Sequence, residues 1–125
     1  MEEKKEEPQG EVTTERKLLV EGMSASPGVG IGPVKIVTEI DDLSKIAEGD
    51  ILVAEMTNPD YVSAMEKSAA IVTDEGGATC HAAIVGREMG IPVIVGTQNA
   101  TETLKDGQII TVDATNGKVY EGRLE

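Results

Sequence analysis

From Lys17 onward, apolar residues fall in short runs separated by clusters of turn-forming residues. "KLLVEGM" (17–23) and "IGPVKIVTE" (31–39) predict two strands flanking a loop, "SASPGVG" (24–30), in which Pro27, Gly28 and Gly30 favour a tight turn. "DILVAEM" (50–56) and "AAIVTDE" (69–75) are nearly continuous and β-branched, the pattern of strands in a sheet covered on both faces. Between them, "TNPDYVSAMEKSA" (57–69) predicts a helix with Asn58 at the cap, Pro59 at the first helical position and Asp60 in the first turn. Val62, Met65 and Ala69 then share a face. A second helix is predicted at about 80–89, stopped by Gly90 ahead of Pro92, and "PVIVG" (92–96) follows as a strand. "QIITVDAT" and "GKVYEG" form a hairpin bending at Asn116-Gly117. The prediction is a strand-rich α/β domain with a few helices and no internal repeat.

Residues 1–17 break this pattern. Dense in Glu and Lys and nearly free of apolar side chains, they cannot offset the entropy of ordering and read as a linker or tail. The domain proper is therefore expected over 18–125. A chain of 125 residues can bury a core without disulfides or metals, and with no Phe, no Trp and two Tyr that core is aliphatic.

A net charge of −12 is the wrong sign for neutralising nucleic-acid phosphates or docking on an anionic membrane. No apolar run approaches the roughly 20 residues that span a bilayer, and the first residues lack an apolar signal-peptide centre. The expected location is the cytoplasm, with neither nucleic acid nor membrane as partner. The single cysteine, Cys80, cannot form an internal disulfide.

The chemistry concentrates in "GGATCHAAIVGREMGIP" (76–92), which holds the only histidine beside the only cysteine. Gly76 and Gly77 allow the chain to leave a strand with positive φ and turn directly into a helix. Thr79 is the expected N-cap, placing His81 in the first turn, where unpaired N–H groups and the helix dipole favour an anion. The same field disfavours imidazolium and leaves a ring lone pair for phosphorus. A lone histidine at a helix start is also what a partly exposed hydrogen bonder looks like. Here the glycines, the hydroxyl of Thr79 and the small side chains of Ala82 and Ala83 leave the ring uncrowded. A metal site is not expected, since Cys80 and His81 are helix neighbours pointing apart with no further His or Cys to complete a shell. A Cys-His hydrolase fails on the same geometry. "GVGIG" (28–32) lacks the Lys-Ser/Thr of a P-loop and the spacing of a dinucleotide fingerprint, and reads as a turn.

Taken together, "SPGVGIGPVKIV", "TNPDYVSAMEKSAAIVTDEGG", "TCHAAIVGREMGIPVIVG" and "LKDGQIITVDATNGKVYEG" resemble, in order, the phosphohistidine or swivelling domain of the phosphoenolpyruvate-utilising enzymes. That family includes phosphoenolpyruvate synthase (pyruvate, water dikinase), pyruvate phosphate dikinase and enzyme I of the sugar phosphotransferase system. "TCHAAI" is most similar to the synthase branch; the others usually carry Ser at the position of Cys80. The resemblance implies a swivelling β/β/α fold in one layered domain. It implies that His81 is phosphorylated, that Thr79 orients it, and that Gly76, Gly77, Cys80 and Ala82 form the loop beneath the phosphate. Two positions depart from the pattern: Ala78 stands where the synthases usually have Arg, and Gly86 where Ala is common. The first removes a charge-assisted phosphate contact; the second costs about 1 kcal/mol of helix propensity.

Phosphoryl transfer needs cationic clamps around the moving group. This acidic chain has no P-loop, no acidic metal cluster and no basic cluster near His81, with Arg87 more than a turn away. By the resemblance, Mg²⁺ and ATP are held by a nucleotide-binding domain and pyruvate or phosphoenolpyruvate by a barrel domain of the same polypeptide. The expected role is a mobile phosphotransferase carrier that does not catalyse the full reaction alone. The equivalent domain of a dikinase, enzyme I or an antibiotic phosphotransferase, and a non-catalytic interaction module retaining the fold, are the alternatives.

Overall fold

In the computed structural model, which describes residues 17–124, the elements run β1 (Leu18–Glu21), β2 (Met23–Ser26), β3 (Val29–Val37), β4 (Ile51–Ala54), α1 (Val62–Lys67), β5 (Ala70–Thr73), α2 (His81–Met89), β6 (Val93–Val95), α3 (Ala100–Thr103), β7 (Ile109–Asp113) and β8 (Lys118–Glu121). Short 3-10 turns occupy Ile40–Lys45 and Pro59–Tyr61. The expected tail falls outside the described residues except for Lys17, whose carbonyl accepts from the Glu121 N–H at 2.9 Å and so continues the β1–β8 pairing.

The strand order is β1-β8-β7-β3-β4-β5-β6-β2. β3 belongs to both sheets. Its first half pairs antiparallel with β7 (Val29 opposite Asp113, Pro33 opposite Ile109), and its second half pairs parallel with β4 (Val34 opposite Ile51). One ribbon is thus an antiparallel set, β1-β8-β7-β3, and the other a largely parallel set, β3-β4-β5-β6, edged by antiparallel β2. β1 and β2, separated only by Gly22, stand at opposite ends of the order, so the two sheets are joined on both sides.

Strand alternation sorts the apolar side chains into two compartments. Ile51, Val53, Ala70, Val72 and Ile94 face Val20, Ile110, Val112 and Val119 of the antiparallel sheet, with Ala100 and Leu104 at the end. Leu52, Ala54, Ile71, Val93 and Val95 point the other way, onto Ala64, Met65, Ala82 and Ala83 of α1 and α2. β4 and β5 are buried at every position because both faces are covered, as their sequence pattern predicts. The layers are sheet, sheet and helix, the β/β/α arrangement implied by the resemblance.

Several local expectations are corrected. "KLLVEGM" is two strands divided at Gly22, not one. The predicted loop 24–30 shrinks to Pro27–Gly28, because Ser24–Ser26 pairs with β6 and Val29–Gly30 with β7. "GVGIG" is accordingly strand from Val29 on; side chains at Gly30 and Gly32 would collide with the carbonyls of Ala69 and Gly49, so these glycines admit close backbone approach. The helix expected from Pro59 starts as a 3-10 turn capped by Asn58, whose side chain accepts from the Asp60 N–H at 2.8 Å, and becomes α-helical at Val62. Ala69 falls beyond its end. The hairpin bends at Gly117 (φ 71°) as predicted.

Polar anchoring completes the frame. Asp42 accepts from the backbone N–H groups of Thr38 and Glu39 at 3.0 and 3.2 Å and pairs with Lys45. Those backbone bonds, led by that of Thr38, and the Lys45 ammonium hold its carboxyl far below the usual carboxylate range. Burial against the helical layer pushes the Tyr61 phenol up.

Candidate active site

β4 and β5 are adjacent and parallel, so the loops that leave their C-terminal ends are brought side by side, as at many α/β sites. The ladder continues past both strands: Asp74 N–H donates to Ala54 carbonyl at 3.1 Å and Glu75 N–H to Glu55 carbonyl at 2.9 Å. Thr73 Oγ1 donates to the Glu75 carbonyl at 2.6 Å, tightening the second loop. Asp74 is buried and accepts from the Thr101 N–H at 2.9 Å and hydroxyl at 2.5 Å, which ties the loop base to α3. Above this base, Thr57 Oγ1 lies 2.7 Å from His81 Nδ1.

His81 is the first residue of α2 and half-buried. Beside it opens a cleft of about 240 Å³, walled by Met56 and Thr57 from the first loop and by Glu75, Gly76, Cys80 and Ala82 from the second, with Thr73 at its floor. The first N–H groups of α2 have no partner within the helix, and no side chain caps them. Ring, hydroxyl and helix start converge on one partly enclosed space.

The predicted residues divide. Gly76, Cys80, His81 and Ala82 line the cleft; Gly77 and Thr79 do not. Gly76 has φ 120° and presses so closely on Cys80 that an added Cβ would lie 2.8 Å from Sγ, so no other residue suits it. Gly77 has neither positive φ nor a close neighbour, and the turn expected of both glycines is made by Gly76. The N-cap is Cys80, not Thr79: its φ/ψ of −72°/166° and its carbonyl, accepting from Ile84 N–H at 3.1 Å, mark the boundary. Thr79 lies exposed one residue earlier.

Two residues escaped the sequence reading. Thr57, buried and opposite His81, lies 24 positions away and meets the ring only because β4 and β5 are neighbours. The available signal was the pair of apolar strands itself, since parallel neighbours juxtapose their following loops. Arg87 is more than a turn along α2, yet its side chain reaches back to the loop, donating from Nη2 to the Ala78 carbonyl at 2.7 Å. Among the described residues no helix is long and apolar enough to cross a membrane.

The family described as PEP-utilising enzyme, mobile domain, matches residues 46–117, which include both loops and the whole of α2. A probable phosphoenolpyruvate synthase of Archaeoglobus fulgidus is 56% identical over 123 residues, covering 97% of this chain and 16% of that protein. The phosphoenolpyruvate synthase of Pyrococcus furiosus is 54% identical over 114 residues, covering 91% of this chain and 14% of its own length. This chain thus spans about a sixth of the relatives it matches. Among solved structures, the solution structure of an enzyme I protein superposes with a TM-score of 0.56 at 33% identity, over 66% of this chain and 34% of that one. With a family match over more than half its length and relatives more than half identical over nearly all of it, the chain belongs to the PEP-utilising enzyme family and is a mobile domain of the phosphoenolpyruvate synthase type.

Proposed function

We propose that this domain carries a phosphoryl group on His81 between a nucleotide site and a pyruvate site elsewhere in one polypeptide. The observation that carries the reading is the 2.7 Å contact between Thr57 Oγ1 and His81 Nδ1. With Nδ1–H donating to the hydroxyl, the lone pair sits on Nε2, the nitrogen left for an incoming phosphorus. The Nε2 lone pair forms an N–P bond to the β-phosphorus as the P–O bond to AMP breaks, the electron pair leaving with the AMP oxygen; water then cleaves the terminal phosphate from the pyrophosphoryl group as inorganic phosphate, leaving one phosphoryl group on the ring. In the second step the enolate oxygen of pyruvate takes the phosphorus and the N–P electrons return to the ring, giving phosphoenolpyruvate.

The uncapped start of α2 favours the negative charge of the bound phosphoryl group. Thr79, exposed on the same loop outside the cleft lining, offers a hydroxyl to a phosphoryl group that projects from the ring; Gly76, Cys80 and Ala82 form the surface beneath. Mg²⁺ neutralises charge on the nucleotide phosphates. Glu75 is the single carboxylate lining the cleft, so the cleft offers no cage for the cation, and the ion is assigned with ATP to the nucleotide-binding domain. A barrel domain holds pyruvate. Domains beyond this one are supported by the small share of each relative that the chain covers. The reaction so assigned is ATP, pyruvate and water giving AMP, phosphoenolpyruvate and phosphate, in the cytoplasm, and the isolated domain does not complete it.

The test is incubation with the nucleotide-binding domain, Mg²⁺ and ATP labelled in its β and γ phosphates. The expected product is one acid-labile, base-stable phosphate on His81, absent from His81→Ala. Label persisting in that variant removes the proposal.

A further inference from the structure

Arg87 makes no ion pair with a carboxylate among the described residues. Instead its guanidinium spans two backbone carbonyls from separate parts of the fold: Nε donates to Ala25 at 2.8 Å and Nη2 to Ala78 at 2.7 Å. Both acceptors are carbonyls that regular pairing leaves aside. The β2–β6 register slips between Ser24 and Ser26, so Ala25 is the bulged residue without a ladder partner, and Ala78 lies in the irregular loop before α2. That loop begins with Gly76 and Gly77, the least restricted backbone near the ring.

We propose that Arg87 is a positioning residue for phosphoryl acceptance, acting as a brace between the β2 bulge and the His81 loop; this rests on His81 being the acceptor. A trans peptide directs its C=O and N–H oppositely. With the Ala78 oxygen held on the guanidinium, the Thr79 N–H is turned away from Arg87; it has no hydrogen-bond partner among the described residues and, although Thr79 lies outside the cleft lining, stays open to a phosphoryl group projecting from the ring. Without the brace, rotation of the 78–79 peptide exchanges that N–H for a carbonyl oxygen, which repels phosphate. The fixed planar fork of arginine suits two carbonyls at once, whereas an ammonium reaches one point. Arg87 need not touch the phosphoryl group to do this.

The 125-residue chain allows a test that needs no other domain, because it holds one histidine. Potassium phosphoramidate transfers its phosphoryl group to imidazole nitrogen with loss of ammonia, and ³¹P NMR follows the product. Arg87→Ala is expected to slow phosphorylation of His81 about tenfold, a modest loss for a displaced reacting group. Hydrogen exchange should rise at residues 76–80 while the strands β4, β5, β7 and β8 keep their protection. Arg87→Lys should recover the rate in part, and added guanidinium ion should restore the Arg87→Ala rate. The proposal is overturned if Arg87→Ala reacts within about twofold of the parent chain, if its exchange rises throughout the sheets rather than in the loop, or if guanidinium has no effect. Failure of the carrier reading is a separate result: ATP-derived label would then appear away from His81 with the loop still braced.

Discussion

The two apolar compartments share strands but differ in what they do. Between the sheets, Val20, Ile51, Val53, Val72, Ile94, Ile110, Val112 and Val119 form an aliphatic core enclosed by strands on both sides. Beneath the helices, Leu52, Tyr61, Met65 and Ile71 fill the layer, while alanines, Ala54, Ala64, Ala82 and Ala83 among them, stand where the helices meet the sheet, and the layer's upper end opens into the His81 cleft. Large interdigitating residues resist deformation and anchor the fold; small ones let α2 lie close to the sheet, so that its first residue meets a loop from the next strand. Stability and chemistry are thus carried on opposite faces of β4 and β5.

Substitutions can break that division. Ile110→Ala, a fully buried truncation between the sheets, is expected to lower unfolding stability by about 2–5 kcal/mol in urea titration. The phosphorylation rate of the chain that remains folded should be unchanged. A loss of rate equal to that of a cleft variant would show that the compartments are not separate.

Gly86→Ala probes the contact between α2 and β6. Helix propensity alone favours alanine by about 1 kcal/mol. An added Cβ, however, runs into Cγ2 of Val93, a stiff β-branched side chain with no exposed surface. The expected net result is a destabilisation of about 1–3 kcal/mol, read as a lower urea midpoint. A more stable variant would mean that the helix can lift off the sheet without cost.

The smallest effect tests the cleft itself. Thr57→Val keeps shape and removes the oxygen against Nδ1, so reaction of His81 with phosphoramidate should slow roughly tenfold, the loss expected when a partly buried N–H is left without its acceptor. Stability should change by less than about 1 kcal/mol. Loss of stability without loss of rate would assign Thr57 to the frame rather than to the ring.

The site was legible to different depths. His81, Cys80, Gly76 and Ala82 fall within seven residues of the chain, and glycine shortly before a helix start is a local signal that survives folding unchanged. Residue preference gives the cap to Thr79, since Thr caps more often than Cys; in the fold the extended backbone of Cys80, whose side chain packs on Gly76, places the helix boundary one residue later. The glycines of "GVGIG" pointed to a turn because flexibility and close approach select the same residue, and only the carbonyls of Ala69 and Gly49 tell the two apart.

By itself the sequence determined the local elements, the burial of β4 and β5 on both faces, the acidic surface and the identity of the one imidazole, because periodicity, turn chemistry and charge act over a few residues. The pairing of His81 with Thr57, the bulge that frees the Ala25 carbonyl for Arg87, and the division of β3 between two sheets were decided only by tertiary structure. Each depends on which strands become neighbours, and that follows from burying both faces of the central strands at once rather than from any single stretch of chain.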